Sequence, residues 1–231
     1  EKAITWMNST VNGHPVIPRT GYIVEFNALW YNALKIMARL AEKYENKQLC
    51  RKYLEMAEKT KKSFDEKFYN EEKHCLYDVL GDSKVRPNQL FALSLSHPIV
   101  DNAEIAEQVL NTVENKLLNK YGLKTLSSDE DGYVDVYEGS AYRRDSSYHQ
   151  GITWPWLLGL YYDALKNTMI IEKNRTKRQE LEEKITKLVY TTKETFKAEM
   201  FERSSIGTIS EIYDSTEPYE ERGAFAQAWS V

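Results

Sequence analysis

Apolar residues recur every three or four positions along most of this chain, and that spacing limits its fold more than any other feature. From Val24 the series Ala28, Tyr31, Leu34, Met37, Ala38 and Ala41 keeps one helical face, with Lys and Glu filling the other. Tyr53, Leu54, Ala57, Phe64 and Phe68 repeat the pattern, as do Ile105, Val109, Leu110, Val113 and Leu117, and later Leu181, Ile185, Leu188, Val189 and Phe196. Shorter helices are expected from Pro87 to Ser96, with Pro in the first turn, from His149 to Leu165, and from about Gly223 onward. Alternation of period two is confined to short pieces such as Cys75–Val79. The expected class is all-α. Connections at Glu45–Asn46 and around His97–Asp101 are short, whereas residues 1–21, 119–148 and 203–222 form long ones rich in Trp, Tyr, Arg and Asp. Long irregular connections of that composition are usually functional. Helix pairs with alternating short and long loops suit an α-toroid whose long loops gather at one mouth. A bundle or a solenoid satisfies the period equally.

One of these connections carries an unusual concentration of chemistry. Residues 142–159 place Arg143, Arg144, Asp145, His149 and Gln150 among Tyr142, Tyr148, Trp154 and Trp156, ahead of an apolar run. Indole and phenol faces stack on the C–H face of a sugar, and Arg, Asp, His and Gln supply directional hydrogen bonds to hydroxyls. The plainer reading is a helix start whose polar residues cap backbone and solvate a loop.

Charge and composition exclude other classes. The 231 residues carry a net charge of −4 with no basic stripe, which argues against nucleic-acid or anionic-membrane partners. Cys50 and Cys75 fit a reducing compartment, or simply packed thiols, better than a disulfide framework, and a cytoplasmic location is the default expectation. The apolar runs are too short to span a bilayer. His14, His74, His97 and His149 lack paired ligand spacing, and Asp129-Glu130-Asp131-Gly132 departs from a calcium loop after its first positions, leaving a solvated acidic turn. No metal and no cofactor are expected. Neither a nucleophile elbow nor a phosphate or dinucleotide loop is present. Carboxylates are better candidates: Glu211 lies in Gly-Thr-Ile-Ser-Glu-Ile-Tyr-Asp, ahead of Arg222-Gly223, where apolar flanks could set a carboxylate to activate water. Glu211 and Asp214 as ordinary surface carboxylates is the competing reading.

Several blocks occur in one order from Thr5 to the last residue: Thr5-Trp6-Met7-Asn8, Pro18-Arg19, Glu25 through Leu34, Arg86-Pro87-Asn88-Gln89, Gly122 through Leu126, Arg144-Asp145 with Tyr148 through Gly151 and Trp154-Pro155-Trp156, Ser210-Glu211-Ile212, and Ala226 through Val231. Each is weak alone, but the ordered set resembles the C-terminal glucosidase domain of the amylo-α-1,6-glucosidase (glycogen debranching enzyme) family. The resemblance implies a glucoamylase-like (α/α)6 toroid. It also implies cofactor-free, inverting hydrolysis of the α-1,6-linked glucose stub on a glycogen or starch branch. A six-hairpin toroid needs about a dozen helices, more than the period reveals here. Residues 1–231 are therefore expected to form a single domain that is an incomplete portion of the toroid, prone to self-association along an open edge.

Within the resemblance Glu211 matches the general base, and the general-acid position is occupied by Asn8 in place of Asp. A carboxamide keeps the shape but cannot donate the proton that the leaving oxygen needs. Four explanations stand: a natural change yielding a carbohydrate-binding pseudoenzyme, another acid such as Asp145, a substitution introduced to trap substrate, or an acid located in a different block. Trp6, Glu25, Arg144, Asp145, Tyr148, His149, Gln150 and Trp154 are expected to contact an α-glucan. Trp6, Tyr148 and Trp154 read equally as wall packing, Arg144 and Asp145 as an ion pair, and Glu25, Asn27 and Gln89 as groups satisfying buried backbone at helix starts. Trp30 and Trp229 are expected in the core. A helical scaffold for protein partners is the reading from another class, and it would need a large exposed apolar patch.

Overall fold

The computed structural model describes residues 2–203 and 206–230. Val231, the last residue of the C-terminal block, lies outside the described residues. After a two-residue hairpin, β1 (Thr10–Val11) with β2 (His14–Pro15), the chain enters α1 (Val24–Lys43) and α2 (Lys47–Lys67). Val24, Ala28, Leu34, Ala38 and Ala41 are the buried stripe of α1, as their spacing predicts, whereas Met37 of the same series is exposed. The hairpin turns through Glu45 in the left-handed region, and Asn46 caps α2 by accepting the Leu49 N–H at 3.0 Å. The strands β3 (Tyr69–Asn70) and β4 (Cys75–Leu76) follow. A 3₁₀ turn over Pro87–Leu90 then runs into α3 (Phe91–Ser94), so the helix expected at Pro87 begins in tighter form.

Asn102 caps α4 (Ala103–Lys116) by accepting the N–H groups of Glu104 and Ile105. Beyond β5 (Leu118–Asn119) and β6 (Gly122–Lys124) come the short α5 (Ala141–Ser147), β7 (Thr153–Trp154), α6 (Leu157–Ile171), and α7 (Arg175–Glu202) with its Asn174 cap. Leu157, Leu158, Tyr161, Ala164 and Leu165 of α6 are buried, and this helix packs against α3, α4 and α7. Val109, Leu110, Val113 and Leu117 complete that core.

The all-α expectation needs amending: the chain is mostly helical, with small sheets. The largest is antiparallel in the order β5-β6-β7-β8-β9, where β8 is Ile212–Tyr213 and β9 is Glu221–Arg222. It gathers two of the long connections, 119–148 and 203–222, and Gly122 lets β6 approach β7, since a Cβ there would lie 2.3 Å from the Trp154 carbonyl oxygen.

Two expected helices differ. Residues 148–151 form a turn and Thr153–Trp154 is strand, because Pro155 drives the residue before it to extended backbone. Beyond Gly223 the chain does not coil until a 3₁₀ turn at Ala228–Ser230, because both backbone groups of Ala224 are bound to Glu211. Among the described residues no helix is long and apolar enough to cross a membrane, and no group of three or more His, Cys, Asp or Glu could hold a metal ion. The acidic turn is tied up in ion pairs, Lys73 with Glu130 at 2.8 Å and Lys116 with Asp129.

Candidate active site

Glu211 immediately precedes β8 and is buried, as is Asp214 just after it. The two differ in their partners. Asp214 is saturated by Arg222 (2.7 and 3.0 Å) and the Tyr137 N–H (2.7 Å), which makes it a fastening for the loop. Glu211 has no cation among the described residues. Its Oε1 accepts from the Tyr148 hydroxyl and its Oε2 from the Ala224 N–H at 2.9 Å, while its own N–H donates to the Ala224 carbonyl at 2.8 Å. Gly223 makes that turn, at φ +70°, and a Cβ on it would sit 2.5 Å from Glu211 Oε2. A carboxylate aligned by two neutral donors and free of a neutralising cation is suited to polarising a water.

The Tyr148 hydroxyl links Glu211 to an aromatic cluster. Burial first, and then the Glu211 carboxylate, push its pKa well above the ordinary phenol value. Its ring lies 5.6 Å from that of Tyr137 and 4.9 Å from Trp154. Burial raises the Tyr137 pKa, Arg144 opposes the shift, and Asp145 and Glu211 add to it, so all three charged groups act on one phenol. Arg144 and Asp145 are both exposed on α5 and form no ion pair with each other among the described residues. The Arg144 guanidinium donates instead to the Gly139 carbonyl at 2.7 Å.

Trp6 packs edge-on against His149, Trp154 and Trp156 with centroids 5.0–5.4 Å away. Its indole N–H donates to Asn88 Oδ1 at 2.6 Å. Asn88 donates in turn to Asp78 Oδ1 at 2.8 Å, Asp78 accepts from Arg19 at 2.8 and 3.0 Å, and Arg19 clasps both oxygens of Glu25. Glu25 is thus an interior member of an ion network. Burial and Asp78 raise its pKa against the pull of Arg19. Asn8 is exposed just beyond Trp6 and Met7, and the next residue, Ser9, donates to the Asp145 carbonyl at 2.7 Å.

Trp6, Arg144, Asp145, Tyr148, His149, Trp154 and Glu211 therefore gather around one cluster, with Asn8 exposed two residues after Trp6. Their accessibility varies. Trp154 and His149 are wholly buried, and Gln150 Oε1 accepts from Arg86 at 2.6 Å. Burial, with the Arg86 and Arg19 charges behind it, pushes the His149 imidazole down to about 3, so it is neutral. Asn27 and Gln89 satisfy backbone groups, at Ile23 and at Leu76 and Arg86. Sequence reasoning did not single out Tyr137, Asp78 or the steric role of Gly223. The Arg-Gly pair before Ala224 was the one visible hint.

Over residues 1–231 the chain matches the family described as amylo-alpha-1,6-glucosidase, and it belongs to that family. It is also similar in fold to a solved structure titled a sialidase, with a TM-score of 0.68 and 14% identity over 94% of this chain. The chain spans 19% of that longer protein.

Proposed function

We propose that this domain hydrolyses α-1,6-linked glucosyl residues of a glycogen-like glucan with inversion, Glu211 acting as general base. The observation that carries this reading is the Glu211 carboxylate, held at both oxygens by Tyr148 and Ala224 beside an aromatic cluster in a family of glucosidases. Glu211 takes a proton from water as the water oxygen attacks the anomeric carbon. The glycosidic bond breaks on the opposite face, and the departing oxygen needs a proton there. Residue 8 faces that oxygen, and Asn8 cannot protonate it, so the chain turns over slowly. Trp6 and Tyr148 border the sugar, with Trp154 and His149 packed behind them. The domain forms part of an (α/α)6 toroid, needs no cofactor, and acts in the cytoplasm.

A second reading has its own support. Asp145 lies beside the loop bearing residue 8 through the Ser9 hydrogen bond, and its charge acts on the same tyrosine as Glu211. In that case Asp145 supplies the proton and Asn8 only binds. If neither does, the domain is a carbohydrate-binding relative. Glucose release from a maltosaccharide with a single α-1,6 branch separates these. Asn8→Asp raising the rate about a hundredfold or more supports an acid at position 8. An unchanged rate with loss in Asp145→Asn moves the role to Asp145. No release by any form leaves the binding protein.

A further inference from the structure

The segment after Gly223 folds back over Glu211. Ala224 exchanges two hydrogen bonds with it, and the Ser230 hydroxyl donates to its carbonyl at 3.4 Å. Trp229 adjoins Ser230, whose hydroxyl ties this segment to the Glu211 backbone. Its ring lies nearly parallel to Trp156, at 13° and 6.4 Å, and edge-on to Trp154 at 5.2 Å. Two indoles thus pack against it, yet 43% of the residue is open, whereas Trp154 is at 0%. This differs from the core position that the sequence suggested. An indole fixed by its neighbours and open on its outer side loses little entropy on receiving a ligand, and it offers a flat apolar face to the C–H face of a pyranose.

We propose that Trp229 is the stacking platform for a glucosyl unit of the substrate at the Glu211 site, the role that the buried Trp154 has no open surface to fill. The assignment rests on the glucosidase reading of that site. It makes Trp229 a substrate-binding residue that sets affinity for a glucan. The stacked sugar shields the outer indole face, while the packing against Trp154 and Trp156 is kept whether the site is filled or empty.

Brief oxidation with N-bromosuccinimide, followed by peptide mass mapping, tests this on the unaltered protein. Trp30 on α1 is a built-in control, being 51% exposed and outside the aromatic cluster. A maltotetraose bearing one α-1,6-linked glucosyl residue should protect Trp229 and leave Trp30 oxidised at its former rate. Trp229→Ala should weaken binding of the same sugar about tenfold and Trp229→Phe less, since a smaller aromatic face remains. If the unaltered protein binds the sugar but Trp229 stays as reactive as before, the platform assignment is overturned and the site reading stands. If the unaltered protein does not bind the sugar, both fall.

Discussion

Both oxygens of Glu211 depend on single neighbouring residues, so small substitutions there should act on chemistry before stability. Gly223→Ala puts a methyl group 2.5 Å from Oε2 on a backbone at φ +70°. It should lower glucose release about tenfold or more by displacing the base. Wild-type rates would show that the turn can shift without moving the carboxylate. His149 offers a test through pH. Its folded pKa is about 3 against 6.5 for the free side chain, so the unfolded chain takes up a proton that the folded one refuses. That contribution is intact above about 6.5 and is lost as pH falls toward 3, at up to about 1.4 kcal/mol per unit. Thermal melts between pH 7 and 4 should fall less steeply for His149→Phe than for wild type; parallel slopes would contradict a buried neutral imidazole. At this scale the burial of Glu211 was legible because apolar residues flank it. Tyr137 was not, since a tyrosine in an irregular loop carries no period to mark which charges it meets.

Elements hold the site through one interior network. Asp78 joins Arg19, Asn88 and, through Asn88, the Trp6 indole, tying the segment after β4 to Glu25 of α1 through Arg19 and to the loop bearing residue 8. Asp78→Ala leaves Arg19 with Glu25 alone and Arg86 without its nearest carboxylate, at 3.9 Å. Urea unfolding should show a loss of about 3–5 kcal/mol. Glu25→Gln should weaken stability with glucan affinity unchanged. A selective loss of affinity would instead return Glu25 to the substrate. The long helices were readable because each buries a three-four stripe and three of them begin at an Asn cap. The five-stranded sheet was not, because strands of two or three residues show no alternation, and Trp154 is extended through Pro155 and its partners rather than its own pattern.

For the molecule as a whole, α1 is apolar on two sides. Opposite its buried stripe, Phe26, Leu29, Trp30, Met37, Leu40 and Tyr44 are exposed along the helix. Such a face favours association, so sedimentation should show concentration-dependent oligomers that Leu29→Glu with Met37→Glu dissolves. A monomer at every concentration would contradict this. The period revealed the helices but not this second stripe, because an apolar residue's spacing does not say whether another element covers it. In the proposed function, Glu211 and residue 8 act across one glycosidic bond. The most direct measurement is glucose release from a singly α-1,6-branched maltosaccharide by wild type, Asn8→Asp, and Asn8→Asp combined with Glu211→Gln. The account predicts a rise of about a hundredfold or more for Asn8→Asp alone, and loss of that gain, by about two orders of magnitude or more, in the double variant. Equal rates in all three forms would contradict it.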